Sequence, residues 1–170
     1  MMTKNDIISN KLKKIKLVIT DVDGVLTDGG LYYTSEGLVM KKFNVKDGMG
    51  MRLLRERGIK NGIITTDTSE LIKIRGERLK VDHLYLGVWD KENKMKEICV
   101  IEKILPENVA FIGDDVNDIG IIKEVGFSAS PNDAVEEVKN IVDLVLTKNG
   151  GKGVYREFSD LILNHLGSVN

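Results

Sequence analysis

Short apolar runs alternate along the chain with longer segments in which apolar residues recur at the spacing of one helix face. An apolar run at 17–19 predicts the first strand, and the spacing predicts further strands at 61–66, 83–87, 109–113, 126–129 and 142–146. Helices are predicted at about 47–57, 68–79, 91–104, 116–124, 132–139 and 152–166. This alternation is typical of α/β proteins with a doubly wound, Rossmann-like parallel sheet and helices on both faces.

One region departs from the alternation. Residues 30–34 and 38–43 flank a polar turn at 35–37, a pattern that predicts a short β-hairpin insertion. No linker, repeat or low-complexity segment interrupts the rest of the chain. We therefore predict a single domain over 1–170, with a core at about 15–163, the hairpin at about 30–43 and a C-terminal tail at about 150–170.

Two carboxylates stand directly after the first apolar run. Asp21 and Asp23 are two residues apart, so their side chains share a face if the segment is extended. A buried pair of carboxylates favours a divalent cation, and oxygen ligands favour Mg²⁺. An aspartate-rich turn without a ligand is the simpler alternative. A calcium-binding EF-hand is excluded, because its fifth and sixth positions would be Val25 and Leu26.

The ends of three later strands also carry polar groups. Thr65 and Thr66 end one predicted strand, Lys91 follows the next, and Asp114 follows a third. The carboxyl ends of parallel strands meet at one edge of a sheet, where open α/β sheets bind their ligands. We therefore expect these side chains to converge with Asp21.

Composition narrows the possible functions. The chain has 170 residues and a net charge of −1, so no general positive surface for nucleic acid or anionic membranes is expected. A single cysteine, Cys99, excludes an internal disulfide, and a cysteine phosphatase would need arginine where Leu105 stands. No apolar run is long enough to cross a bilayer, and the N-terminus lacks a secretory pattern. A cytoplasmic location is therefore expected.

The order of aspartate pair, threonine, lysine and acidic pair resembles the four motifs of the haloacid dehalogenase superfamily of phosphotransferases, over about residues 15–163. The resemblance implies a phosphoric monoester hydrolase in which Asp21 is the nucleophile that forms an aspartyl-phosphate. It implies that Asp23 protonates the leaving oxygen and later activates the attacking water. It also implies that Thr65 binds a phosphoryl oxygen and that Lys91 neutralises the charge of the phosphoryl group.

The same resemblance implies a magnesium cofactor. Its ligands would be one carboxylate oxygen each from Asp21 and Asp114 and the backbone carbonyl of Asp23. Asp115 and Asp118 would surround this group and orient metal-bound water and the motif lysine. Both residues have an alternative role, because aspartate commonly caps the first turn of a helix.

Further segments resemble a narrower branch, the phosphatases of 3-deoxy-ulosonic acid phosphates, whose substrates are KDO-8-phosphate or the 9-phosphates of KDN and sialic acid. The segments are 28–30, 42–44, 47–48, 87–91, 113–115 and 150–158. Members of this branch have no cap domain, and the two intervals in which a cap would be inserted are too short here. The resemblance implies a homotetramer in which a neighbour's hairpin helps to close each site.

Few residues bear on the choice of substrate. Asp67 stands where octulosonate phosphatases usually carry arginine, and Asp67 with Arg78 favours a nine-carbon KDN or N-acylneuraminate 9-phosphate. KDO-8-phosphate is the alternative substrate. Substrate contacts are expected from Thr66, Asp67, Arg75, Arg78 and Arg156, with the arginines binding the sugar-acid carboxylate. Two plainer roles stay open, namely helix capping by Asp67 and surface solvation of Arg78.

Two other classes of protein are alternatives. A catalytically idle, oligomerising domain, of the kind fused to sialic acid cytidylyltransferases, is expected to lack Asp23 or Lys91, and both are present. A receiver-like signalling domain would place its acidic pair and its phosphorylated aspartate on different strands, whereas Asp21 and Asp23 lie together. We therefore favour an enzyme whose partner is a small sugar-acid phosphate.

Overall fold

A computed structural model describes residues 3–166, so the ends of the predicted domain and tail, at 1–2 and 167–170, lie outside the described residues. Six parallel strands form the main sheet: β1 (Leu17–Thr20), β4 (Lys60–Ile64), β5 (His83–Tyr85), β6 (Val109–Ile112), β7 (Phe127–Ser130) and β8 (Leu144–Val145). Their order across the sheet is β5-β4-β1-β6-β7-β8. A separate antiparallel pair, β2 (Tyr32–Thr34) and β3 (Gly37–Met40), forms the predicted hairpin.

Helices follow the strands in the chain. They are α1 (Lys4–Leu12), α2 (Val45–Glu56), α3 (Glu70–Leu79), α4 (Lys91–Glu102), α5 (Ile119–Glu124), α6 (Glu136–Lys139) and α7 (Val154–His165). Short 3-10 turns occur at Pro106–Asn108 and Val116–Asp118. The predicted doubly wound α/β fold with a hairpin insertion and no cap domain is therefore confirmed for the described part of the chain.

The sheet is buried on both faces. In β1, Val18 points into one apolar core, while Leu17 and Ile19 point into the other, because side chains alternate along a strand. The first core includes Phe158 of α7, and the second includes Met95 of α4. Since apolar helices cover both faces, polar side chains can gather only where the strands end.

Several helices differ from the prediction, and one helix was not predicted at all. α1 was not predicted, and it begins with a capping box in which Thr3 Oγ1 accepts from the Asp6 N–H at 3.1 Å. α3 begins at Glu70 rather than 68, because Ser69 caps it. α6 begins at Glu136 rather than 132, because the segment before it is held by the C-terminal loop, with Asp133 Oδ1 accepting from the Gly150 N–H at 2.9 Å.

Candidate active site

Three buried or half-buried carboxylates meet where the central strands end. Asp21 follows β1 and Asp114 follows β6, and these strands are neighbours in the sheet. Asp118 closes the 3-10 turn after β6. Carboxylate oxygens of the three residues all lie within 4.8 Å of one another. The predicted convergence of Asp21 and Asp114 is thus present in the structure.

The electrostatics of this cluster favour a bound cation. Burial, followed by the Asp118 charge, raises the pKa of Asp21 to about 6, and Lys91 opposes the rise. Burial, followed by the charges of Asp21 and Asp118, raises the pKa of Asp114 to about 8. The Asp114 Oδ1 atom is buried and has no hydrogen-bond partner among residues 3–166. These oxygens fit Mg²⁺, which prefers oxygen ligands and would relieve the repulsion.

A glycine lets one of these carboxylates approach the nucleophile loop. Gly24 has φ +81°, and a Cβ atom there would lie 1.9 Å from Asp114 Oδ2. Any larger residue would therefore push Asp114 away from Asp21. The glycine in the Asp-x-Asp-Gly pattern has a role in packing this site as well as in turning the chain.

Lys91 is the cation of this cluster. It begins α4, is 2% exposed, and places Nζ 3.0 Å from Asp21 Oδ1 and 2.6 Å from Asp118 Oδ1. Burial disfavours its charge, but Asp21 and Asp118 outweigh burial and raise the pKa of Lys91. Asp118 Oδ2 also accepts from the Asp114 N–H at 3.0 Å. Asp118 therefore joins the lysine to the turn after β6.

A pocket of about 300 Å³ opens above the carboxylates. Thr65 and Thr66, which directly follow β4, line one side of it, and Asp115 lines another. Asp115 Oδ1 also accepts from the Val116 N–H at 2.7 Å, so this residue lines the pocket and caps the 3-10 turn. The full lining is Asp21, Asp23, Gly24, Gly29, Thr65, Thr66, Asp114, Asp115 and Asn117.

One residue of this site was not predicted. Lys41, just after β3, has a side chain with no solvent exposure, and its Nζ lies 2.6 Å from both Asp23 carboxylate oxygens. The same atom lies 2.5 Å from Asp67 Oδ2. The sequence shows adjacent lysines, Lys41 and Lys42, but no signal in it tells which of them turns inward.

The structure assigns Asp67 a different environment from the one expected of a sugar contact. Its Oδ2 accepts from Lys41, and its Oδ1 accepts from the Ser69 N–H at 2.5 Å. Both oxygens are therefore engaged by the protein itself. The capping alternative does not hold for Asp67, since the N-cap of α3 is Ser69, whose Oγ accepts from the Leu71 N–H.

The three predicted substrate-binding arginines come together, but in another place. Arg75, Arg78 and Arg156 line a pocket of about 430 Å³ beside α2, and they are absent from the lining of the acidic pocket. The Arg75 guanidinium lies 5.6 Å from the centre of the Phe43 ring. Arg156 pairs with Asp160 at 2.8 Å. Within one described chain, these arginines are separate from the carboxylate cluster.

Comparison with known proteins decides the family. Residues 64–158 match the model of the haloacid dehalogenase-like hydrolases. The chain is 40% identical over 157 residues to 3-deoxy-D-manno-octulosonate 8-phosphate phosphatase of Haemophilus influenzae, covering 92% of this chain and 87% of that protein. The chain belongs to the haloacid dehalogenase-like hydrolases. The predicted phosphoric monoester hydrolase is thereby confirmed, which removes the idle domain and the receiver domain as alternatives.

Other members of the family agree in sequence and in structure. The corresponding phosphatase of Escherichia coli K12 is 38% identical over 160 residues, covering 94% of this chain and 85% of that protein. The Moraxella catarrhalis phosphatase, solved with magnesium, phosphate and KDO, superposes with a TM-score of 0.90 at 37% identity, covering 93% of this chain and 91% of that one. The cobalt-bound Haemophilus influenzae structure superposes with a TM-score of 0.89 at 40% identity, covering 92% and 91%. The capless octulosonate phosphatase-like branch is therefore supported.

No helix within residues 3–166 has both the length and the apolar character that a membrane span needs.

Proposed function

We propose that this hydrolase is a Mg²⁺-dependent phosphatase of 3-deoxy-D-manno-octulosonate 8-phosphate. The observation that carries the proposal is the meeting of Asp21, Asp114 and Lys91 at the ends of neighbouring strands in a chain so similar to octulosonate phosphatases. The relatives support this substrate better than the nine-carbon 9-phosphate that the sequence favoured. Both Asp67 oxygens also bind groups of the protein itself, so the nine-carbon substrate has less support from this residue.

Two carboxylates divide the chemistry in this proposal. A carboxylate oxygen of Asp21 attacks phosphorus, and the bond between phosphorus and the sugar oxygen breaks as Asp23 donates a proton to that oxygen. Asp23 then accepts a proton from water, which attacks the phosphorus of aspartyl-phosphate and releases inorganic phosphate and free Asp21. The two steps return both residues to their starting protonation states.

The surrounding groups neutralise and orient the phosphoryl group. Asp21, Asp114 and the backbone carbonyl of Asp23 would hold Mg²⁺, since both Asp118 oxygens are already engaged, Oδ1 by Lys91 and Oδ2 by the Asp114 N–H. When bound, Mg²⁺ supplies the positive charge that lets an anionic nucleophile approach an anionic phosphate. Lys91 remains beside Asp21 and balances charge, and the Thr65 hydroxyl donates to a phosphoryl oxygen.

Completion of the site by a second subunit is part of the proposal. The hairpin exposes large apolar side chains, among them Leu31, Tyr32, Tyr33, Val39 and Met40. A two-stranded hairpin cannot bury these residues by itself, and packing against neighbours in a homotetramer would cover them. Arg75, Arg78 and Arg156, which lie outside the acidic pocket of their own chain, would then bind the carboxylate of a substrate held by a neighbour.

The proposed substrate is tested by phosphate release from a panel. KDO-8-phosphate, KDN-9-phosphate and N-acetylneuraminate-9-phosphate are compared at equal concentrations with Mg²⁺. We expect the highest kcat/KM for KDO-8-phosphate, complete loss of activity with EDTA, and recovery when Mg²⁺ is added. Preference for a nine-carbon substrate would restore the original interpretation of Asp67 and Arg78. Full activity after removal of the metal would contradict the proposed site.

A further inference from the structure

Lys41 joins three parts of the site through one buried ammonium group. It lies at the end of the hairpin, Asp23 lies in the nucleophile loop, and Asp67 lies in the loop after β4. Nζ is 2.6 Å from each oxygen of Asp23 and 2.5 Å from Asp67 Oδ2. The Lys41 side chain is completely buried, whereas the Asp23 and Asp67 side chains retain 35% and 24% exposure. Lys41 is absent from the lining of the acidic pocket, so its ammonium group lies behind the Asp23 carboxylate as seen from that pocket.

Burial of an ammonium group is costly unless the group is paired and hydrogen-bonded. Here the two carboxylates supply that pairing, and Lys41 in turn offsets their mutual repulsion. A second hydrogen bond, from Thr27 Oγ1 to Asp23 Oδ1 at 3.3 Å, restricts Asp23 from the other side. The contacts hold the Asp23 side chain in one orientation at the wall of the acidic pocket.

We infer that Lys41, anchored by Asp67, is a positioning residue that aims the Asp23 carboxyl at the leaving oxygen of the substrate. The inference rests on the proposed function, in which Asp23 is the proton donor and acceptor. Lys41 keeps its own protons throughout. It contacts both Asp23 oxygens at rest, and during the reaction it stays bonded to Oδ1, which Thr27 also holds, while Oδ2 gives a proton to the departing sugar oxygen or takes one from water. Because Nζ is buried, Lys41 acts through Asp23 and makes no contact with phosphate.

Substrates that differ in their leaving group test this role. Departure of a sugar alkoxide from KDO-8-phosphate requires protonation, whereas p-nitrophenolate leaves without it. In Lys41→Met we expect kcat for KDO-8-phosphate to fall by about ten- to a hundredfold, because part of the general acid catalysis is lost. KM should stay within about twofold of the wild-type value. With p-nitrophenyl phosphate we expect a burst of p-nitrophenolate at the wild-type rate. Slow turnover should follow, because hydrolysis of the aspartyl-phosphate still needs Asp23 as a base.

Two further variants keep the test decisive. Lys42→Met makes the same chemical change at the next residue, which is exposed, and should leave kcat, KM and the burst unchanged. Asp67→Asn keeps the buried lysine and removes the charge that anchors it. It should reproduce the pattern of Lys41→Met with a smaller effect, about three- to tenfold in kcat for KDO-8-phosphate. If Lys41→Met does not fold, Asp67→Asn alone decides the outcome.

Several results would overturn the inference. A rise in KM with unchanged kcat would mean that Lys41 binds substrate directly. If Lys41→Met lowers the burst rate and the rate of KDO-8-phosphate hydrolysis equally, Lys41 does not act through Asp23. Full activity in a stable Lys41→Met protein would lead to the same conclusion. Failure of the proposed substrate would give a separate result, because the wild-type enzyme would then not hydrolyse KDO-8-phosphate. The role of Lys41 could still be tested by comparing hydrolysis of p-nitrophenyl phosphate with hydrolysis of a simple alkyl phosphate, whose leaving group needs a proton.

Discussion

Asp21 and Asp114 face each other across the ends of β1 and β6, and ionisation of both is opposed by burial and by their neighbours. Burial first, and neighbouring carboxylates second, raise their pKa values to about 6 and about 8, and Lys91 is the one cation paired with Asp21 and Asp118 among the described residues. A divalent cation would supply further positive charge. At the scale of residues, the site is therefore prepared for a metal and for an anionic substrate held by that metal.

Replacement of Asp21 by asparagine removes the negative charge of the side chain and keeps its size. Asp21→Asn removes the nucleophile and one proposed metal ligand, and we expect turnover to fall by at least about 10⁴-fold, as for other covalent nucleophiles. The fold should persist, because the neutral side chain relieves repulsion from Asp118. Phosphate release and thermal unfolding measure the two effects. Activity close to that of wild type at saturating Mg²⁺ would refute the assignment of the nucleophile.

Asp47 lies outside the carboxylate cluster and tests how burial of a carboxylate affects the stability of the fold. It is 2% exposed, its Oδ1 accepts from the Arg156 N–H at 3.0 Å, and burial raises its pKa to about 6 from 3.8. Because the folded state binds this proton more tightly than the unfolded state, stability is lost as pH rises from about 4 to about 6. Asp47→Asn should therefore stabilise the protein by about 3 kcal/mol at pH 7.5 and by almost nothing near pH 3.5.

Thermal denaturation of both proteins across this pH range measures the difference. A variant that is less stable than wild type at pH 7.5 would show that the Asp47 charge is favourable, through Arg75 and Lys148, and that burial is not the larger effect.

The sequence predicts which residues belong to the site only where the geometry of the strands determines their positions. Asp21, Asp114 and Lys91 follow apolar runs, so their meeting is a consequence of parallel strands ending together. Lys41 follows an irregular hairpin whose direction relative to the sheet depends on tertiary contacts. Its pairing with Asp67 therefore could not be inferred, and Asp67 was assigned to the substrate instead.

At the scale of elements, long periodic segments were predictable and short ones were not. The apolar periodicity of α2, α4 and α7 gave their positions to within about two residues. α1 was missed because it has few apolar residues, although Thr3 and Asp6 form a recognisable capping box. α6 is short because contacts with the C-terminal loop, rather than local propensity, hold the preceding residues.

The glycine-rich C-terminal loop supports the nucleophile loop, and a pair of substitutions tests this. Gly151 has φ +68°, its N–H donates to the Val25 carbonyl at 2.9 Å, and a Cβ there would lie 2.5 Å from the Asp28 nitrogen. Gly58 has φ +75° but open space around it. Gly58→Ala should cost about 1 kcal/mol and leave kcat unchanged. Gly151→Ala should cost more than about 2 kcal/mol and lower kcat, because it displaces the backbone of Thr27, whose hydroxyl donates to Asp23 Oδ1.

Chemical denaturation and steady-state kinetics on the two alanine variants give both quantities. Equal effects of the two substitutions would show that only backbone strain matters and that the loop has no influence on the site.

At the scale of the whole molecule, the hairpin leaves apolar surface that a single chain does not cover. We predict a homotetramer held in part by this surface. Val39→Asp, at a half-exposed position of the hairpin, should shift the mass measured by light scattering below that of a tetramer and reduce activity. Val100→Asp, at the 78% exposed position on α4, is the matched control and should change neither. A wild-type protein that is fully active as a monomer would contradict this prediction.

The most direct test of the account is chemical trapping of the phosphorylated residue. The enzyme is mixed with substrate and Mg²⁺, quenched during turnover, and treated with borohydride, which reduces an acyl phosphate to an alcohol. Peptide mass spectrometry then locates the reduced residue. We expect homoserine at position 21, present only when substrate and Mg²⁺ are both supplied and absent in Asp21→Asn. Reduction at another aspartate, or no reduction during active turnover, would contradict it.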